Sequence, residues 1–174
     1  AGGADRTPGP RLGLKSHERA ARLSALLPRE VAVVVAPPLL TAITPPAGLP
    51  DPARAIATLA EAAGARRPAL AVMLRAPALD NRGWSELLAR WVPAVRAAGL
   101  QLAVNVGPRS TPSEVSGFAR ILAPLPVDWL QLPEGAAGPA QWRAALGALG
   151  RSPPLSCSRH DREGVATAFA AGAD

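Results

Sequence analysis

The chain alternates short runs of apolar residues with longer segments in which apolar residues recur at helical spacing. The run 70–74 is continuously apolar, a pattern typical of a strand that is buried on both faces. In the segment that follows it, apolar residues at helical spacing predict an amphipathic helix that Gly99 ends. This alternation recurs about five times, and the predicted strands are 39–44, 70–74, 100–104, 127–132 and 154–158.

The predicted helices begin at residues that favour a helix start. Thr111-Pro112-Ser113-Glu114 is a capping box, in which the threonine and glutamate side chains bind backbone N–H groups of the first turn. After the last predicted helix, Gly172-Ala173-Asp174 leads into a sixth strand. The other helix starts are Asp51-Pro52, Asp80 or Asn81, Pro139 and Asp161.

Apolar strands that alternate with amphipathic helices predict an α/β fold with a parallel sheet and the helices packed outside it. The repeat length is close to that of a TIM barrel, in which roughly 250 residues build eight units. An open doubly wound sheet is the alternative, although no glycine-rich dinucleotide-binding signature follows any predicted strand. We therefore expect a TIM (β/α)8-barrel type of fold, of which the 174 residues cover the first five to six units.

Two segments are expected along the chain. Residues 1–30 form a flexible lead-in that is rich in Gly, Pro and Arg, with a short helix that Ser16 caps and Pro28 ends. Residues 31–174 form the barrel-like domain, which begins with a β-branched run at 31–35 and is incomplete at its C-terminus. Closure of the barrel then requires another chain or further residues.

Composition excludes several classes of protein. Hydrophobic residues make up 48% of the chain and charged ones 18%, and prolines interrupt every long apolar stretch, so no membrane span is expected. The net charge of +6 comes mainly from scattered arginines, and the chain has no Tyr and two Phe, so nucleic-acid binding is not expected. A single cysteine and no export signal pattern fit a cytoplasmic protein.

Few polar residues stand at the predicted strand ends, where the active sites of parallel barrels lie. Outside the lead-in, His160 is the one histidine available for acid–base chemistry near neutral pH. Because the carboxyl ends of parallel strands meet at one edge, these side chains are expected to converge. They are Arg75, Asn105, Gln131, Glu134, Ser158 and His160.

Four of these six residues also have a structural interpretation. His160 precedes a helix and could cap it or lie on the surface, and Arg75 could bridge two helices. Asn105 could stabilise the turn before Gly107-Pro108, and Glu134 could be merely solvated. Cys157 lies inside a predicted strand and is interpreted as a small buried apolar residue, not a nucleophile.

Five sequence motifs, taken in order and with their spacing, resemble those of the thiamine-phosphate synthase/TenI family. The stretch Ser158-Arg159-His160, followed by a helix and Gly-Ala-Asp, is similar to the family's Ser-x-His and Gly-Ala-Asp. The remaining motifs are Leu-Leu-Thr-Ala-Ile-Thr-Pro-Pro at 39–46, Met-Leu-Arg-Ala-Pro at 73–77, Leu-Ala-Val-Asn-Val at 102–106 and Asp-Trp-Leu-Gln-Leu-Pro-Glu-Gly at 128–135. The resemblance implies a TIM barrel.

Departures from the family pattern argue against synthase activity. Synthases of the family join a pyrimidine pyrophosphate to a thiazole phosphate and use Mg²⁺ held by aspartates. Those aspartates fall on Val106 and Ala136, which offer no oxygen ligand, and the pyrophosphate-facing Gln and Lys fall on Met73 and Pro77. The resemblance therefore implies a protein that is not a competent thiamine-phosphate synthase.

The motif residues that this chain keeps resemble the TenI branch of the family, whose members include thiazole tautomerases. They are Arg75, Asn105, Ser158 and His160. That resemblance implies an isomerase without metal or cofactor, with His160 as proton shuttle and Arg75 as anion clamp. Asn105, Gln131 and Ser158 would bind a small phosphorylated thiazole or pyrimidine. The alternative is a non-catalytic homologue that acts as a scaffold or partner subunit. In both cases we expect a homo-oligomer, or a partner chain that completes the barrel.

Overall fold

Five short strands form one parallel sheet in which neighbours along the sheet are also neighbours in sequence. The computed structural model describes residues 38, 40–44 and 51–174. The expectations for the lead-in 1–30, its helix after Ser16 and the run 31–35 lie outside the described residues. The strands are β1 (Leu40–Ile43), β2 (Leu70–Leu74), β3 (Gln101–Asn105), β4 (Trp129–Leu132) and β5 (Leu155–Cys157).

A helix follows each strand, and most of the predicted caps are present. Asp51, Asp80 and Asp161 each accept a backbone N–H of the first helical turn, and the capping box of Thr111 and Glu114 is formed. No helix in the described part of the chain is long and apolar enough to cross a membrane. The helices are α1 (Pro52–Ala63), α2 (Asn81–Ala97), α3 (Pro112–Leu122), α4 (Pro139–Gly147) and α5 (Arg162–Ala170).

This arrangement confirms the α/β class and the parallel sheet that alternates with helices. The strand order runs in one direction from β1 to β5 and is compatible with part of a barrel. Within the described residues, the sheet does not close, because β1 pairs only with β2 and β5 only with β4.

The observed bounds of most strands differ from the predicted ones by one or two residues. Asn105 is the last residue of β3 and does not follow the strand, because its backbone still pairs with Gln131. Residues Gly64–Ala69 form a 3₁₀ helix that the pattern did not predict. Gln101 holds this helix against β3 by donating from Nε2 to the Pro68 carbonyl at 2.7 Å. Because Gln101 and Pro68 are 33 positions apart in the sequence, no local sequence pattern predicts this contact.

The two faces of the sheet have different roles. Side chains such as Val72, Leu102 and Leu130 pack with the helices in one core. Alternate side chains point to the opposite face, which carries a cavity of about 540 Å³. Its lining includes Thr41, Met73, Ala103, Trp129, Gln131 and Ser156. In a closed barrel this face would be the interior.

An arginine and an aspartate bind the start of β4 to β3. The backbone N–H of Asp128 donates to Leu102 O at 2.9 Å, and Asp128 Oδ2 accepts from Leu102 N at 2.7 Å. Arg96, in the last turn of α2, lies 2.9 Å from the same carboxylate oxygen. Asp128, the residue directly before β4, therefore accepts a backbone N–H and pairs with an arginine through the same carboxylate oxygen.

The same arrangement recurs beside β5. Asp174 N donates to Leu155 O at 2.9 Å, and Asp174 Oδ2 accepts from Leu155 N at 2.8 Å. Arg143 of α4 lies 2.5 Å from that oxygen and also donates to Gly172 O at 2.7 Å. Asp174 therefore makes, next to β5, the same backbone and arginine contacts that Asp128 makes next to β3.

Candidate functional site

Three of the predicted site residues come together at the carboxyl ends of β3, β4 and β5. Asn105 and Gln131 are register partners in neighbouring strands. Ser158 follows β5, and its backbone N–H donates to Leu132 O at 2.9 Å, which fixes the two strand ends to each other. The expected convergence of these three residues is therefore present.

Gln131 is the centre of a chain of hydrogen bonds between two serines. Ser156 Oγ lies 2.5 Å from Gln131 Oε1, and Gln131 Nε2 donates to Ser158 Oγ at 2.8 Å. The glutamine amide is thus held from both ends, and Ser158 Oγ accepts one of these bonds. Its hydroxyl proton remains available for another acceptor at this edge of the sheet. Ser156 was not predicted, because a serine inside a strand carries no recognisable signal.

Asn105 performs the structural role that was considered for it. It is 8% exposed, and its Oδ1 accepts a hydrogen bond from Gly107 N at 3.0 Å. Gly107 has a φ of 68°, so the turn uses a conformation that glycine adopts readily. Within the described residues, the amide NH₂ group of Asn105 makes no hydrogen bond and can donate to a ligand.

His160 lies in the loop after β5 and faces the loop after β4. Its Nε2 is 3.2 Å from Glu134 Oε2, and the two side chains are 77% and 67% exposed. The interpretation of His160 as the cap of the next helix is wrong, because Asp161 Oδ1 accepts from Gly164 N at 2.6 Å and fills that role. Glu134 is largely exposed, as the interpretation of a solvated loop residue expected, and it faces His160 across the two loops.

Arg75 stands apart from this group. Its backbone N–H donates to Thr44 Oγ1 at 3.1 Å, which fixes the end of β2 against the end of β1. The side chain is exposed, and within the described residues its guanidinium makes no hydrogen bond or ion pair that would bridge two helices. It remains a charged group at the carboxyl edge of the sheet, two strands away from Gln131.

Arg109, in the loop after β3, is a cation that the sequence reasoning missed. Its guanidinium carbon lies 3.7 Å from the ring centre of Phe118 and 5.9 Å from that of Trp84. It also donates to the Val106 carbonyl. Burial lowers the pKa of Arg109, while the charge of Glu114 opposes this shift. Arg109 directly follows Gly107-Pro108 in the loop after a predicted strand, and this position could have identified it as a candidate site residue.

Arg109 borders a second cavity, of about 480 Å³, between the loops after β2 and β3. Two cations and two carboxylates line it, so its charges balance. Both carboxylates already cap helices: Asp80 accepts from Gly83 N at 2.8 Å and Glu114 from Thr111 N at 3.0 Å. The lining is Pro77, Leu79, Asp80, Asn81, Arg82, Pro108, Arg109 and Glu114.

Cys157 is half-buried and packs against the core. Burial raises the pKa of its thiol, and the nearby charge of Arg159 opposes this shift only in part. A raised pKa disfavours the reactive thiolate. The side chain therefore behaves as a small apolar residue that packs in the strand.

The residues where the resemblance would require metal-binding aspartates do not suit a metal. Val106 is fully buried in the core, and Ala136 packs against it. No group of three or more His, Cys, Asp or Glu side chains in the described part of the chain is placed to hold a metal ion. A synthase-type Mg²⁺ site does not fit these residues.

Comparison of the chain with protein-family models, with curated proteins and with solved structures found no match.

Proposed function

We propose that this protein is a TenI-like barrel of thiazole phosphate metabolism that acts as a metal-independent isomerase. The observation that carries the proposal is the grouping of His160, Ser158, Gln131 and Glu134 at one edge of the sheet. A histidine that is exposed to an incoming ligand, beside fixed polar groups, suits proton transfer on a small molecule.

The strand order supports a TIM-type barrel. A barrel places consecutive strands side by side throughout, whereas a doubly wound sheet reverses its order at a switch point. The described strands run from β1 to β5 without reversal. Asp174 pairs with Leu155 as Asp128 pairs with Leu102, which supports a further parallel strand next to β5.

The chemistry requires only that a proton move within the substrate. His160 accepts a proton from one atom of the non-aromatic thiazole ring as the C–H bond breaks and an N–H bond forms. The imidazolium then returns a proton to the substrate at the other end of the conjugated double bonds, which shift so that the ring becomes aromatic. Atoms and electrons balance without an oxidant or a metal. Arg75 and the Ser158 hydroxyl lie at the same edge of the sheet, and in this proposal they bind the anionic groups of the ligand.

Several substitutions argue against synthase chemistry. Departure of pyrophosphate develops negative charge that synthases offset with Mg²⁺. Val106 and Ala136 stand where the resemblance implies the metal-binding aspartates, and neither side chain carries an oxygen ligand.

The test is conversion of the non-aromatic thiazole phosphate carboxylate to its aromatic isomer, followed by ultraviolet absorbance with a metal chelator present. We expect an acceleration of about 10²-fold or more over the uncatalysed reaction, since general acid–base catalysis contributes roughly 10²–10⁴-fold. Folded protein that gives no acceleration would exclude this activity.

The exposed apolar side chains favour a second candidate, a non-catalytic partner subunit. Val165 and Phe169 lie one helical turn apart on α5 and are 43% and 60% exposed. Leu40 and Ile43 of β1, at the other edge of the sheet, are 66% and 56% exposed. Such patches favour association with a second copy or a partner chain. A particle larger than one chain in light scattering, together with no turnover, would support this candidate over the enzyme.

A further inference from the structure

We propose that Gln131 is a positioning residue that holds the Ser158 hydroxyl as a hydrogen-bond donor, so that this edge of the sheet binds an anionic oxygen of a ligand. Phosphate and carboxylate groups both supply such an oxygen. This inference rests on the proposed function for the identity of the whole ligand. Binding of a simple anion can be measured without any turnover.

Gln131 reaches two serines because of the register of the sheet. Gln131 and Ser156 are register partners in β4 and β5. The pairing continues to Ser158, whose backbone N–H donates to Leu132 O at 2.9 Å. Residues two apart on an extended strand point to the same face, so one glutamine amide can contact both hydroxyls. Gln131 and Ser156 also line the cavity of about 540 Å³ on that face.

The orientation of the Gln131 amide follows from the oxygens around it. Nε2 lies 2.8 Å from Ser158 Oγ and 3.5 Å from the carbonyl oxygen of Leu132. A backbone carbonyl only accepts hydrogen bonds, so the NH₂ group and not Oε1 suits this position. Oε1 then faces Ser156, whose Oγ lies 2.5 Å away and supplies the proton for that contact. The amide therefore donates to Ser158.

This contact leaves the Ser158 hydroxyl as a donor. A serine hydroxyl carries one proton and two lone pairs, and one lone pair of Ser158 receives the N–H of Gln131. Within the described residues, the hydroxyl proton of Ser158 has no acceptor. The neighbouring guanidinium of Arg159 lies 2.5 Å from the Ser158 carbonyl and adds positive charge. A hydroxyl proton that is directed away from Gln131, beside a cation, suits an anionic oxygen.

The first experiment measures anion binding at Ser158. Inorganic phosphate and, separately, acetate are titrated into ¹⁵N-labelled protein, and the backbone amide signal of residue 158 is followed by NMR. We expect a saturable shift, which with phosphate assigns the site to a phosphate group and with acetate alone to a carboxylate. Ser158→Ala should weaken binding about tenfold, since hydrogen bonds to charged groups are stronger than neutral ones. The absence of a saturable shift with both anions, or an unchanged affinity in Ser158→Ala, would overturn the inference.

The second experiment tests whether Gln131 acts through Ser158. Gln131→Met keeps the length of the side chain but not its hydrogen bonds, and it should weaken anion binding about three- to fivefold, because the hydroxyl is then free to rotate. In a Ser158→Ala background the same substitution should have no further effect. Gln101→Met, the same change at the amino end of β3, is the matched control and should leave the affinity unchanged.

Two results of this cycle would overturn the role of Gln131. Tighter binding by Gln131→Met than by the parent would show that the Ser158 hydroxyl donates to the glutamine. An equal loss in both backgrounds would show an effect that is independent of Ser158. If Gln131→Met does not fold, Ser156→Ala takes its place, because it removes the hydroxyl that holds Oε1. It should weaken binding about twofold in the parent and not in the Ser158→Ala background.

Turnover of the thiazole substrate separates this inference from the proposed function. Coupling between Gln131 and Ser158 in anion binding, without isomerisation by the parent protein, would remove the proposed reaction and support the anion site. Isomerisation without that coupling would support the reaction and overturn the role of Gln131.

Discussion

The guanidinium of Arg143 lies 2.5 Å from the carboxylate of Asp174, and that carboxylate also accepts the backbone N–H of Leu155. The pair repeats the arrangement of Arg96 and Asp128 beside β3. In both places an aspartate carboxylate accepts a backbone N–H near the start of a strand and pairs with an arginine. The two strands are β3 and β5.

Removal of these aspartates should destabilise the protein unequally. Asp128→Ala leaves the buried N–H of Leu102 without a partner, and we expect a loss of about 1–3 kcal/mol in the free energy of unfolding. Asp174→Ala should cost less, about 1 kcal/mol, because the Asp174 side chain is 47% exposed against 14% for Asp128. Denaturant unfolding measures both losses. Glu61→Ala, on the exposed surface of α1, should change stability by less than about 0.5 kcal/mol. Equal stability of the parent and Asp128→Ala proteins would contradict the structural role of this contact.

Glu114 should make stability depend on pH in the acid range. The backbone N–H and the hydroxyl of Thr111, with the backbone N–H of Ser110, lower the pKa of Glu114 below its ordinary value of 4.5. A lowered pKa in the folded state means that this contribution is complete above pH 4.5 and is lost as pH falls through the folded value. The difference in unfolding free energy between the parent and Glu114→Gln proteins should therefore shrink below that pH. Glu163→Gln, in the first turn of α5, is the control. A difference that stays constant from neutral pH down to about pH 3 would contradict the assignment.

The protein should not make thiamine phosphate. With the pyrimidine pyrophosphate, the thiazole phosphate and Mg²⁺ supplied, we expect no turnover, because Val106 and Ala136 stand where the proposed resemblance to the synthases would put the metal-binding aspartates. Chromatographic detection of thiamine phosphate checks this directly. Formation at about 1 per second or faster, a rate ordinary for enzymes, would show that other residues hold the metal.

Local sequence signals predicted most of the fold. The caps at Asp51, Asp80, Thr111 and Asp161 act within three residues of the cap, so the sequence alone identifies them. The apolar run 70–74 matches β2 at both ends. Parallel pairing followed from the alternation of strands and helices.

The site was predicted less completely, because its contacts join residues that are far apart in sequence. Gln131, Ser158 and His160 were identified at strand ends, but the bond from Ser156 to Gln131 and the pairing of His160 with Glu134 depend on register. Arg109 was missed because its aromatic partners become its neighbours only when α2 and α3 pack together.

The most direct test of the proposed catalysis is the turnover of a folded His160→Asn protein. Asparagine keeps hydrogen-bonding capacity but has no nitrogen that titrates near neutral pH. His160 is 77% exposed and Asp161 caps the following helix, so the melting temperature should hardly change. Turnover of the thiazole substrate should fall about 10²–10⁴-fold. Arg75→Ala should instead mainly raise KM, through loss of a charge-assisted contact. A His160→Asn protein that melts as the parent does and turns over at the parent rate would contradict the catalytic role of His160.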